Sequence, residues 1–195
     1  MSSAGLILAA GESRRMGSPK ALLPYRGQSF LDTLTALLGA VCSPVIVVLG
    51  ADADHVQAVA APRAIFVRNT EYLRGQTSSL QCGLRAVPAS ASGVLFTLVD
   101  HPAVSADTLQ WLLRPIDAEK VRVPRYRSRK GHPIWFSRDL ITEFLELDDT
   151  GAARDVVRAH AADTAFIDVD DPGILADIDD PEAYRRLLET GGATP

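Results

Sequence analysis

Two nearly unbroken apolar runs set the terms for this chain. One is Gly93–Val99 (GVLFTLV) and the other Pro44–Leu49 (PVIVVL), the second rich in β-branched residues and ended by Gly50. Apolar residues at successive positions, rather than alternate ones, describe strands covered on both faces. Shorter strand-like runs lie at Gly5–Ala9 and Ala64–Val67, and amphipathic stretches separate them. Phe30–Gly39 and Ser78–Val87 read as helices. Asp52 is placed to cap a helix through Ala60, and Ser105 to cap one over Asp107–Leu113. This βαβα order predicts an α/β fold, a three-layer α/β/α sandwich on a Rossmann-like, mostly parallel sheet.

The second half changes character. Arg122–Arg129 and Pro133–Phe136 read as short strands around a basic loop. Asp139–Leu147 and Ala152–Ala159 read as helices, Thr164–Val169 as a last strand and Pro181–Leu188 as a last helix. Residues 1–190 are expected to form one domain, with 191–195 (GGATP) a frayed tail. No repeat or low-complexity linker divides the chain.

Charge and composition narrow the class. Lys+Arg is 20 and Asp+Glu 24, a net charge of −4, with 47% hydrophobic residues. That is the mix of a soluble globular protein. A pI near 5.5 argues against a dedicated nucleic-acid binder, while leaving room for small phosphorylated ligands. Cys42 and Cys82 are too few for a metal framework and read as two buried, reduced thiols. The apolar N-terminal run lacks a preceding basic region, and no run reaches the ~18 residues of a membrane span. The chain is expected to be cytoplasmic, with no membrane partner.

Chemistry concentrates in five places. The first is the loop Leu8-Ala9-Ala10-Gly11-Glu12-Ser13-Arg14-Arg15-Met16-Gly17-Ser18-Pro19-Lys20, which leaves the first strand. Loops at the carboxyl ends of such strands bind ligands. Gly11 and Gly17 permit tight turns, and backbone N–H groups with Ser13, Arg15 and Lys20 suit phosphate oxygens. Lys20 is one of three lysines against 17 arginines, a compact charge suited to a phosphate. The pattern is neither a P-loop nor GxGxxG.

The second is Leu98-Val99-Asp100-His101-Pro102. A carboxylate at the end of a buried strand needs a partner, and Mg2+ held with phosphate oxygens is a natural one. His101 alone reads as a satisfied turn histidine. The third, Arg74-Gly75-Gln76-Thr77-Ser78-Ser79-Leu80, opens a helix and suits a ribose or base. The fourth, Ala176-Asp177-Ile178-Asp179-Asp180-Pro181, aligns Asp177 and Asp179 on one face if extended, with Asp180 capping the last helix. The fifth is the basic loop Arg129-Lys130-Gly131-His132-Pro133. Gly-x-Ser-x-Gly is absent and no Ser/His/Asp arrangement stands out, so hydrolysis by a nucleophilic serine gets little support.

Taken together these segments resemble a known family. Leu8–Lys20 is similar to the LAAGxSxRMGxxK signature of MobA-like nucleotidyltransferases of the glycosyltransferase-A, or nucleotide-diphospho-sugar transferase, type. VVLGA at 47–51, GQTSSL at 75–80, LVDHP at 98–102, KGHPIWF at 130–136 and DIDDPEAY at 177–184 match in order. The likeness is greatest to the molybdenum cofactor cytidylyltransferase branch. It implies transfer of CMP from CTP to a molybdopterin-type cofactor, with Mg2+. Leu8, Ala9, Ala10, Gly11, Ser13, Arg15 and Lys20 would hold the nucleotide, with Gly75, Gln76, Ser78 and Ser79 near ribose and base. Arg15, Lys20 and Asp100 would be catalytic. Asp100 with Asp177 or Asp179 would hold the metal. His101, Gly131, His132 and Pro133 would face the acceptor, and a client molybdoenzyme would receive the product.

The chain departs from that pattern at two points. His101 stands where the family often has Gln. Asp148-Asp149-Thr150-Gly151-Ala152-Ala153-Arg154 displaces by one residue the arginine of a GDxGAR-like stretch. Two other readings compete: the same reaction with another nucleotide or a sugar or polyol phosphate acceptor, and a non-catalytic factor that binds and delivers the cofactor.

Overall fold

The computed structural model describes residues 2–60, 64–114, 119–148 and 150–191. The strands are β1 (Ala4–Ala9), β2 (Pro24–Tyr25), β3 (Gln28–Ser29), β4 (Val45–Leu49), β5 (Ile65–Arg68), β6 (Gly93–Leu98), β7 (Val121–Tyr126), β8 (Arg129–Lys130), β9 (Ile134–Ser137) and β10 (Thr164–Asp168). The helices are α1 (Phe30–Gly39), α2 (Ala53–Val59), α3 (Gln76–Arg85), α4 (Ala106–Leu113), α5 (Ile141–Leu145), α6 (Ala153–Ala159) and α7 (Pro181–Gly191).

The main sheet runs β10-β7-β9-β6-β1-β4-β5, with β8 paired to β7, while β2 and β3 form a separate hairpin. Strand β1 is parallel to both β4 and β6, β4 to β5, and β10 to β7. Strand β9 is antiparallel to β6 and β7. The chain first builds outward from β1 through β4 to β5, then returns to the other side of β1 with β6. That reversal places a topological switch point between the carboxyl ends of β1 and β6, where open α/β sheets bind ligands.

Side chains of β1 alternate between two cores. Ile7 joins Val47, Leu95, Trp135, Phe30 and Leu34 of α1, and Leu109 of α4. Leu6 and Leu8 join Ile46, Val94, Phe96, Leu80 of α3, Phe144 of α5 and Val156 of α6. The three-layer, mostly parallel expectation is met.

Several local expectations are corrected. Asp52 precedes α2, but its backbone is left-handed (φ 54°) and its side chain makes no capping bond. Helix α3 starts at Gln76, so Ser78 and Ser79 lie inside its first turn. The strand expected over Arg122–Arg129 breaks into β7 and β8, because Arg127 and Ser128 turn the chain with φ 47° and 68°. The helix expected over Asp139–Leu147 is a 3-10 turn followed by the shorter α5. Cys42 is buried, and burial pushes its thiol up to about 12, whereas Cys82 is only half-buried. Helix α7 continues to Gly191, and residues 192–195 of the expected tail, like Asp149, lie outside the described residues.

Candidate active site

The loop after β1 turns through a left-handed Ser13 (φ 50°) and Gly17 (φ 68°), while Gly11 needs no such conformation. Ser13 closes the loop on itself. Its carbonyl accepts from Met16 N at 2.8 Å, and its Oγ accepts from Lys20 N at 3.0 Å. The hydroxyl therefore fixes where Lys20 leaves the backbone. The Lys20 ammonium then donates to Asp100 Oδ2 at 2.9 Å and Asp179 Oδ1 at 2.6 Å. Arg15 reaches the other oxygen of Asp179 at 3.2 Å.

Asp100 sits just past β6, as the sequence predicts. The segment 177–179 is pinned beside it by Ile178 N donating to Asp100 O at 3.0 Å. Asp180 caps α7 by accepting from Ala183 N at 2.8 Å. A buried carboxylate that sequence reasoning missed, Asp171, accepts from Ser105 N, Thr108 Oγ1 and Gly173 N. It ties the start of α4 to the turn Pro172–Leu175, which precedes the acidic segment. An aspartate in a run of aspartates gives no signal of that role.

Electrostatics follow from this packing. Burial pulls the Lys20 ammonium down, but its bonds to Asp179 and Asp100 outweigh burial and raise it on balance. The bond from Lys20 holds Asp179 below the usual carboxylate range. Asp177 is pushed up, first by burial and then by the charge of Asp100. His101 is pushed down by burial, against the pull of Asp100.

Arg15, Lys20, Asp100 and Asp179 border a cleft of about 390 Å³, while Asp177 and His101 lie outside its lining. Of the residues expected at the nucleotide, Leu8, Ala9, Ala10, Gly11, Ser13, Arg15, Lys20, Gly75, Gln76 and Ser79 line it, with Asp100 and Asp179. Ser78 does not: its hydroxyl donates to Gly75 O at 2.8 Å, within the turn that opens α3. Asn69, buried and unflagged by any motif, donates to the Oγ atoms of Ser78 and Ser79 at 3.0 Å. It clamps α3 to the end of β5. Tyr72 was also missed, and lines the cleft.

A second cavity of about 470 Å³ meets the first at Gln76 and Leu98, which line both. Its walls include Phe96, Phe136 and Phe144, and its basic residues are Lys130, Arg154 and Arg158. Gly131 and His132 line it, whereas His101 and Pro133 do not. The main chain at Gly131 passes so close to Ile174 that a Cβ would meet its carbonyl oxygen at 2.2 Å. His132 N donates to the same carbonyl at 3.0 Å, and the His132–Pro133 bond is cis. The rings of His101 and His132 lie 4.9 Å apart, and His132 stands edge-on to Phe96. Burial, then the neighbouring His101, lowers His132 to about 4. His101 is not the satisfied turn histidine of the sequence reading, for its buried Nδ1 has no hydrogen-bond partner among the described residues.

The carboxylates also suit a divalent cation. Among the described residues Asp100 Oδ1, which is buried, has no hydrogen-bond partner, so one lone-pair face of this carboxylate is open to an ion. Asp177 lies close by, whereas Asp179, the other expected metal residue, is engaged by Lys20 and Arg15.

Residues 5–164 match the family model of the MobA-like NTP transferase domain. The chain is 33% identical to nicotine blue oxidoreductase of Paenarthrobacter nicotinovorans, over 94% of this chain and 95% of that protein. It is 27% identical to molybdenum cofactor cytidylyltransferase of Escherichia coli K12, over 94% of each. Among solved structures, Rv0371C of Mycobacterium tuberculosis H37Rv in complex with manganese superposes with a TM-score of 0.78 at 30% identity, covering 97% of this chain and all of that one.

Proposed function

From the premise that this chain belongs to the MobA-like NTP transferase family, we propose that it transfers CMP from CTP to the phosphate of a molybdopterin-type cofactor, releasing pyrophosphate. The observation that carries this reading is the pair of joined cavities. One is built on the Gly-rich loop, Lys20 and Asp100; the other is aromatic, with a basic edge, and opens from it at Gln76. The choice of cytosine and of molybdenum cofactor draws on the similarity to the Escherichia coli cytidylyltransferase and on the GQTSSL and KGHP segments.

In the proposed reaction an oxygen of the acceptor phosphate attacks the α-phosphorus of CTP. The bond from that phosphorus to the oxygen bridging it to the β-phosphate breaks, and its electrons leave with pyrophosphate. The attacking oxygen is already anionic at neutral pH, so no strong base is needed. The chain's task is to position two anions and neutralise them. Ala10, Gly11 and Ser13, which line the first cleft, would hold the triphosphate. Lys20 and Arg15 offset charge on the departing pyrophosphate, and the two carboxylates they contact hold them in place. Asp100 and Asp177 would hold a divalent ion, which supplies Lewis-acid neutralisation of phosphate oxygens when bound. The aromatic walls of the second cavity and Lys130, Arg154 and Arg158 suit a flat, anionic acceptor. The product would pass to a client molybdoenzyme in the cytoplasm.

Pyrophosphate release with CTP, GTP, ATP and UTP, each with and without molybdenum cofactor, tests this reading. Release with CTP alone, and only when the cofactor is present, is expected. Release with a sugar phosphate instead would move the acceptor, and release with no pair would contradict the proposal.

A further inference from the structure

We propose that Asp100, His101 and Asp177 form a mixed oxygen and nitrogen site that takes a first-row transition-metal dication in preference to Mg2+, with His101 as a direct ligand. This assignment rests on the metal-assisted reading of the cleft and names the ion it takes.

The Asp100 carboxylate is divided between two tasks. Its Oδ2 accepts from Lys20 at 2.9 Å, while the buried Oδ1 has no hydrogen-bond partner among the described residues. A buried acceptor left unpaired is costly and is seldom kept without a use. On that side stands His101, only 6% exposed, with Nε2 3.9 Å from Oδ1 and a buried Nδ1 that has no partner among the described residues. The 3.9 Å separation is too long for a hydrogen bond. Asp177 brings its carboxylate from the exposed side, and one ligand atom from each of the three residues lies within 4.8 Å of the others. With bonds of about 2.1 Å, adjacent ligands of an ion stand roughly 3 Å apart and opposite ones roughly 4.2 Å, so the exposed Asp177 carboxylate closes the set by swinging toward the other two. Lys20 need not move, because it holds Oδ2 and Asp179 rather than Oδ1.

Two further contacts hold the ligands in place. The ring of His132 lies against His101, and Phe96 stands behind His132, so the imidazole is braced from below. Ile178 N, bonded to Asp100 O, fixes Asp177 beside Asp100. Mg2+ favours oxygen ligands and gives up water reluctantly. Imidazole shifts preference toward first-row transition ions, whose affinities for a nitrogen-containing site rise from Mn2+ through Co2+ and Ni2+. Two carboxylates and one imidazole leave room for water and phosphate oxygens.

The test uses Mn2+ alone as probe, on the metal-stripped protein without nucleotide. Free Mn2+ is followed by electron paramagnetic resonance, and bound Mn2+ by pulsed methods that detect nitrogen coupling. Mn2+ is expected to show coupling to one 14N and to need at least about a tenfold excess of Mg2+ for half displacement. His101→Gln is expected to abolish the 14N coupling and weaken Mn2+ binding by about 10- to 100-fold, the scale seen for metal-site partners. Asp177→Asn alters an exposed residue and should weaken binding while keeping the coupling. Equal binding by wild type and His101→Gln, a wild-type spectrum without 14N coupling, or unchanged affinity in Asp177→Asn would each overturn the site. Pyrophosphate release supported by Mg2+ is measured on the same samples. Release without 14N coupling would sink the ligand assignment alone, and 14N coupling without release would sink the transfer reading alone.

Discussion

A lysine ammonium between two carboxylates is electrostatically satisfied before any ligand arrives. Lys20 is therefore positioned in advance, and its loss removes both a cation and the brace on Asp100 and Asp179. Lys20→Met and Asp100→Asn are each expected to lower pyrophosphate release by about 10²- to 10³-fold with the fold retained, the usual effect of deleting one preorganised electrostatic group. Steady-state assays paired with circular dichroism check this. His132 makes a different prediction. Its folded value, about 4, lies below the ordinary 6.5. The unfolded chain then binds the extra proton between those values, so stability is intact above pH 6.5 and falls as pH drops toward 4. Lowering pH from 7 to 5 should cost about 2 kcal/mol through this group. Urea unfolding at the two pH values, in wild type and His132→Gln, should show the variant losing less.

At the scale of elements, α3 carries the site because it lies directly on the sheet. A Cβ at Gly83 would meet Leu6 Cδ1 at 2.5 Å and Val48 Cγ2 at 2.7 Å, so the helix approaches β1 and β4 through that glycine. Gly83→Ala is expected to destabilise by about 1–3 kcal/mol, the range of core overpacking, read as a lower urea midpoint. A wild-type midpoint would show that the neighbours yield freely. Elements with strong patterns were legible: GVLFTLV and PVIVVL gave β6 and β4, and Ser105 caps α4 as its position suggests, accepting from Thr108 N. Elements set by tertiary contact were not. The turn at Arg127 and Ser128 adopts positive φ without the glycine or asparagine that announces such a hairpin. Asp52 has a capping residue's identity but the wrong backbone conformation.

For the whole molecule, the sequence implied a parallel sheet but not its order. Nothing local to Ile134–Ser137 says that this strand inserts antiparallel between β6 and β7. The site was legible where it is contiguous, as in Leu8–Lys20 and at Asp100. It was hidden where it depends on distant partners. Asn69 reaches Ser78 and Ser79 only after β5 and α3 are placed, and Asp179 meets Lys20 across 159 positions. Because one cleft gathers these distant segments, occupying it should stabilise the whole chain. CTP with Mn2+ at 100 times its dissociation constant adds about 2.7 kcal/mol, which raises Tm by roughly 5–10 °C at this size. Differential scanning fluorimetry should show that shift in wild type and a smaller one in Lys20→Met.

The most direct measurement follows the α-phosphate itself. CTP labelled at the α-phosphorus is incubated with molybdenum cofactor, divalent metal and enzyme, and the products are separated. The label should move onto the cofactor in step with unlabelled pyrophosphate, and Asp100→Asn should nearly abolish the transfer. Label that stays in CTP, or emerges as free CMP with none on the cofactor, would contradict nucleotidyl transfer to that acceptor.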